Sequence, residues 1–321
     1  MAIAHYLKEI GRGKGGSRAL SREQACDLFS QVLDGSVSDL ELGAFCIAMR
    51  IKGETPEELA GFLDAIHPRM KRFAPSERPL VVLPSYNGAR KLPLLTPLLA
   101  LLLAREGLSV LIHGAKTESS RIFVSEVLSP LAQSTFFAIK MLEDDGPLPE
   151  RIAPGEVVYA PTAALCPALA RLLDVRQVIG LRNPAHSLVK LMNPCSGPAV
   201  VVASYTHPEY AESMAALLEL VGANAMLLRG TEGEPVADAR RMPRMEGFIH
   251  GRGALLQEAQ RSSEVAAPDL PEAIDPASTA NYTASVLAGE RPVPESIARQ
   301  VEHILHLVQS CSTKAPALAP P

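Results

Sequence analysis

Two short segments of the 321-residue chain combine residue types suited to gripping an oxyanion. They are Pro84-Ser-Tyr-Asn-Gly-Ala-Arg90-Lys91 and His113-Gly-Ala-Lys116-Thr-Glu-Ser119-Ser120-Arg121. In the first, Asn87-Gly88 permits a tight turn, Ser85 and Asn87 supply donors, and Arg90 with Lys91 supplies positive charge. An ordinary turn is the alternative. In the second, which also offers His113 and Gly114, adjacent Ser119 and Ser120 are expected to open a helix whose amide dipole favours an anion, against the alternative of a plain helix cap. No residue is assigned a catalytic role: His5, His67, His207, His250, His303 and His306 have no nucleophile at a recognisable spacing.

The elements around these segments follow from periodicity. Over residues 21–66 apolar side chains recur every three and four positions, and Ser21, Ser38 and Thr55-Pro56 are helix-start signals, so residues 1–75 are expected to be a small all-helical domain. Helices from about 164–192 are expected to join it. From residue 79 the texture changes to short apolar runs near 79–84, 109–112, 157–160, 199–204 and 225–228, with helical stretches between them. That alternation implies an α/β domain over residues 76–310 with a mostly parallel central sheet. Both segments then follow strands at their carboxyl ends, where such sheets hold ligands. Residues 311–321, rich in Pro and Ala, are expected to be a disordered tail.

Charge is unevenly spread. The net value is −4, which by itself disfavours a polyanion partner. Residues 1–22 nevertheless carry +4 from Lys8, Arg12, Lys14, Arg18 and Arg22 against Glu9, and residues 67–91 carry +5, including Arg69, Lys71, Arg72, Arg90 and Lys91. Charge separated in this way marks one face that attracts anions. Arg240, Arg241 and Arg244, offset by nearby acids, form a secondary patch at best. An aromatic fraction of 4% without Trp argues against a binder that works by stacking. Five scattered cysteines, with no C-x-x-C, read as reduced thiols without a metal site. No segment reads as an export signal or membrane span, so a cytoplasmic protein is expected.

The layout, the second segment and Gly180-Leu-Arg182-Asn-Pro-Ala-His186-Ser-Leu-Val-Lys190-Leu-Met-Asn193-Pro194 resemble anthranilate phosphoribosyltransferase and its class III nucleoside phosphorylase relatives. Their second loop reads K-H-G-N-R-x-x-S-S and their later segment R-T-x-F-N-L-x-G-P-L-x-N-P. Three departures stand out. The family's G-T-G-G-D turn is replaced by Ser85-Tyr-Asn-Gly-Ala-Arg90, Ile112 stands where a lysine is expected, and the adjacent Asp-Glu pair that holds magnesium is met by separated Glu232 and Glu234, read as solvated loop residues.

With P-S-Y-N-G-A-R and R-N-P-A-H-S-L-V-K-L-M-N-P, the chain resembles the YbiB branch of that family. The resemblance implies a homodimer joined through the helical domain that binds DNA or RNA without sequence specificity, with no cofactor. Its contacts are expected from Lys8, Arg12, Lys14, Arg18, Arg69, Lys71, Arg72, Arg90 and Lys91, with Lys116, Arg121, Arg182 and Lys190 contributing. The enzymatic alternative is a glycosyltransferase using phosphoribosyl pyrophosphate, magnesium and an aromatic or nucleobase-like acceptor, with Ser85, Asn87, His113 and Ser119 around the phosphate.

Overall fold

The structure, a computed structural model, describes residues 3–13, 15–260 and 269–312. Lys14 and nearly all of the expected tail lie outside the described residues. The helical domain comprises α1 (Ala4–Ile10), α2 (Arg22–Leu33), α3 (Asp39–Lys52) and α4 (Pro56–Ile66). The start signals work as the sequence indicates. Ser21 with Gln24, Ser38 with Glu41 and Thr55 with Glu58 each form a capping box, satisfying amides that a helix start leaves open.

The α/β domain follows in the order β1 (Leu80–Pro84), α5 (Thr96–Arg105), β2 (Val110–Gly114), α6 (Val124–Ala132), β3 (Ile139–Met141), β4 (Val157–Pro161), α7 (Thr162–Leu165), α8 (Pro167–Ile179), α9 (Ala185–Leu188), β5 (Ala199–Tyr205), α10 (Glu209–Leu220), β6 (Ala225–Arg229), β7 (Met245–Ile249), β8 (Arg252–Gln257), α11 (Pro276–Leu287) and α12 (Glu295–Ser312). The eight strands form one sheet in the order β3-β4-β2-β1-β5-β6-β7-β8. Strands β1 to β6 pair in parallel, while β7 and β8 are antiparallel.

β1, β2, β4 and β5 are buried nearly throughout, which explains their continuous apolar runs. One core joins the helical domain and α8 to one face of the sheet; the other lies between the opposite face and α5, α6, α11 and α12. Three expectations change. α12 runs through Cys311, which is buried, so the last domain extends past 310. β3 and β8 are additional strands at the two edges of the sheet. The serines 119 and 120 do not open a helix: they sit in a turn, and α6 begins at Val124, where Glu126 accepts the amide of Phe123.

Candidate functional site

The loop after β1 meets the loop after β6 at the carboxyl end of the sheet. Glu234, fully buried, accepts the hydroxyl of Ser85 and, at 2.7 Å, the amide of Gly88. Glu232 accepts the amides of Arg90, Lys91 and Leu92 with a single oxygen, at 2.9, 3.0 and 3.2 Å. Asn87 donates to the Glu232 carbonyl at 2.9 Å, and Ser204 and Lys190 donate to that of Gly233.

Thus Ser85 and Gly88 donate to the chain's own Glu234 carboxylate, and Asn87 donates to a backbone carbonyl. Reading Glu232 and Glu234 as solvated was an error that separation in sequence invites; about 145 residues lie between donor and acceptor, and no local pattern reports such a contact. Gly233 makes it possible. Its φ is +84°, and a Cβ there would lie 1.9 Å from the Asn87 amide nitrogen. Burial raises the Glu234 carboxyl above its usual range, although the Ser85 and Gly88 donors oppose that.

His113 is wholly buried, and His186 is nearly so at the wall of a cleft. Burial holds His113 down to about 4, and burial together with Arg182 holds His186 down to about 3. His113 is therefore a neutral core residue, not a phosphate contact. Gly114 is there for close packing, since a Cβ would strike the Ser85 carbonyl at 2.1 Å.

These two rings have a measurable consequence. Unfolded, each takes up a proton near pH 6.5; folded, neither does until far lower. Below pH 6.5 the unfolded chain binds more protons, so stability is full above that value and falls as pH drops. For both rings together the loss approaches about 2.7 kcal/mol per pH unit between about pH 6 and 4. Glu234, raised by burial, acts in the opposite direction over part of that window, so the rings are read directly: their proton shifts in the folded protein should stay unchanged from pH 7 to 5, and titration near 6.5 would show that they are not buried.

The positive charges divide. Beside the glutamate-filled loop lies a cleft of about 590 Å³ between the helical domain and the sheet, lined by Arg50, Glu54, Arg182, His186, Lys190, His207 and Tyr210 among others. Arg182 is lowered from its usual range, chiefly by burial; Tyr86 opposes this, and the like charges of Arg176, Arg121 and Arg50 add to it. Glu118 is the carboxylate paired with Arg121 at 3.1 Å, Arg176 at 3.5 Å and Arg90 at 3.9 Å. Arg50 and Arg182 thus line the cleft with Glu54 and Glu209, while Arg90, Arg121 and Arg176 gather on Glu118. Arg50 and Arg176 were not singled out from sequence, because each reads as an ordinary polar helix position.

Leu20, where the chain leaves the arm for α2, is tied near the same place. The Leu20 amide is held by Glu58, which also binds Lys52 and Thr55 at the end of α4 beside the cleft. Lys8, Arg18 and Lys91 are exposed, with no ion pair among the described residues.

Other expected contacts are corrected. Arg69 is committed to Asp34 at 2.6 Å and to the Ala65 carbonyl, and Arg12 pairs with Glu9 at 2.7 Å. Lys190 is buried, and burial lowers it to about 8. Lys116 pairs with Glu126 and lines a separate hollow with Glu143, Asp144 and Asp174, an environment hostile to phosphate. Lys71 and Arg72 are exposed but follow the far end of α4, about 16 Å along the helix from the cleft. Arg240, Arg241 and Arg244 are all ion-paired.

Comparison with known proteins fits this layout. Residues 4–69 match the helical bundle domain of the glycosyl transferase family. The uncharacterized protein YbiB of Escherichia coli K12 is 37% identical over 99% of this chain and 98% of its own. Anthranilate phosphoribosyltransferase of Thermus thermophilus is 28% identical over 66% of this chain and 62% of its own.

Among solved structures, the Thermus thermophilus enzyme superposes with a TM-score of 0.67 at 24% identity over 97% of this chain and 90% of that one. The Saccharomyces cerevisiae enzyme in complex with phosphoribosyl pyrophosphate and magnesium gives 0.69 at 14% identity over 96% and 89%. As arranged here, the residues do not fit a magnesium diphosphate. Glu234 spends both carboxylate oxygens, and Glu232 one of its two, on protein donors, and the described residues hold no cluster of three metal-ligating side chains.

Proposed function

This chain belongs to the family of YbiB, built on the anthranilate phosphoribosyltransferase scaffold, and from that premise we propose that it binds the phosphate backbone of nucleic acids without reading their sequence. The observation that carries this reading is the crowding of like charge about Arg182: Arg50 and Arg182 line the cleft together with Glu54 and Glu209, and Arg182 also feels Arg121 and Arg176, which pair with Glu118. Such an excess of guanidinium is stabilised by an external polyanion, and affinity then comes from releasing counterions at phosphates. Arg90, which approaches Glu118, extends the same surface, with Lys91 next to it in the chain. Contacts to the phosphate backbone carry no base information, so sequence goes unread.

Two copies are proposed to pair through α3. Leu40, Ala44, Ile47 and Ile51 form a stripe on its exposed side, with Leu40 85% and Ile51 81% accessible, although the spacing is that of a buried helix face. We assign the protein to the cytoplasm; among the described residues no helix is long and apolar enough to cross a membrane.

Titrating a fluorescent oligonucleotide against salt tests the reading. The logarithm of affinity should fall with the logarithm of salt at a slope of about −4, as expected for four or five phosphate contacts. Reversing Lys71 and Arg72 to Glu, away from the mouth, should change affinity no more than about twofold. A large loss in that control would move the binding surface to the other end of α4.

The comparisons themselves speak for a second reading, phosphoribosyl transfer, with Arg182 orienting an acidic acceptor. It requires residues 230–234 to release the first loop so that magnesium and phosphoribosyl pyrophosphate enter. Calorimetry decides: heat on adding both at micromolar concentration supports transfer, and none, together with oligonucleotide binding, supports the polyanion reading.

A further inference from the structure

We propose that the hollow at the carboxyl ends of β2, β3 and β4 binds an aliphatic polyamine. It measures about 610 Å³, is bordered by α6 and α8, and shares no lining residue with the arginine cleft. Glu143, Asp144 and Asp174 line it as exposed carboxylates, and none of the three has an ion pair among the described residues. Lys116, the cation in the lining, is already answered by Glu126 at 3.6 Å. Three negative charges are thus left over, which suits a ligand carrying two or three ammonium groups.

A separate observation lies deeper in the hollow. Thr162 is a lining residue and wholly buried, and its hydroxyl finds no hydrogen-bond partner among the described residues. A buried hydroxyl is costly to leave open, and an ammonium N–H that reaches it satisfies its oxygen. The negative field extends to the strand ends as well. Burial holds the Tyr159 phenol up to about 12, and Asp144 and Glu126 add to this although Ser125 opposes it.

The rest of the lining decides between kinds of cation. Ala115, Met141, Leu142 and Ala170 give an apolar wall that suits methylene groups and offers nothing to a hydrated metal ion. The described residues hold no cluster of three metal-ligating side chains. An organic chain with ammonium groups meets both the wall and the carboxylates. This inference rests on neither reading of the arginine cleft, and its test contains no nucleic acid.

Spermidine is the probe. Amide shifts of Ala115, Thr162 and Ala170 are followed as it is added to the full chain, and in a parallel titration with magnesium at the same ionic strength. The three amides should move together with spermidine, at an affinity at least about tenfold above that for magnesium. Replacing Asp144→Asn and Asp174→Asn together should weaken spermidine about tenfold, as the loss of two exposed charge pairs implies.

Thr162→Val keeps the shape and removes the hydroxyl. It should weaken spermidine about tenfold and leave the melting temperature unchanged or higher, because the group it removes is unpaired in the free protein. Amides that stay still with spermidine overturn the proposal, and so does equal movement with magnesium, which marks diffuse counterion attraction. Binding that survives all three substitutions in folded variants overturns it too.

Discussion

Replacing Arg50 and Arg182 together with Glu should weaken oligonucleotide binding by about a hundredfold at physiological salt, for every sequence tried, and reduce the salt slope by about two. Both side chains line the cleft, and Arg182 feels the like charges of Arg176, Arg121 and Arg50. Reversing two of them replaces a concentrated positive field with a nearly balanced one. The protein should not lose stability, since neither Arg50 nor Arg182 has an ion pair among the described residues and their removal relieves repulsion. Anisotropy titrations at several salt concentrations, with thermal melts alongside, measure both outcomes. Unchanged affinity in a folded double variant removes the cleft from the binding surface and leaves the basic charges without a common purpose.

Glu58→Ala should cost about 3–5 kcal/mol, the largest stability effect expected of a single change near the cleft. Glu58 is fully buried, as is most of its partner Lys52, at 2.6 Å. The same carboxylate accepts the amides of Leu20 and Thr55, both at 3.0 Å. Its removal leaves a buried ammonium unpaired and two amides open, and it frees the stretch before α2 from the corner where α3 meets α4. A chemical melt should show the loss. If the loss is under about 1 kcal/mol, solvent reaches the pair and the corner is not dry.

The fold was readable in the sequence where local rules govern. Capping residues at 21, 38 and 55 mark three helix starts because a start leaves amides that only a nearby side chain can satisfy. The central strands announce themselves because both their faces are buried. The edge strand β3, three residues long and half-exposed, lacks that mark, and so does β8.

Less of the site was readable, for a related reason. Ser85, Asn87 and Gly88 were recognisable as donors, but what they bind arrives from residues 232–234, and the hydrogen bonds that decide it join segments with no sequence signal in common. Charge counts behaved likewise. Arg69 and Arg12 look identical to Arg18 along the chain, and only the positions of Asp34 and Glu9 in space reveal that the first two are spoken for.

The fit of Gly233 against Asn87 makes one mechanical piece of the two loops. Neither is a portable module. Transplanted alone, the first would present bare amides to its new surroundings, and the second would carry a carboxylate into the interior of its host with nothing to receive it. Drift at position 233 is accordingly policed from a neighbour more than a hundred residues upstream.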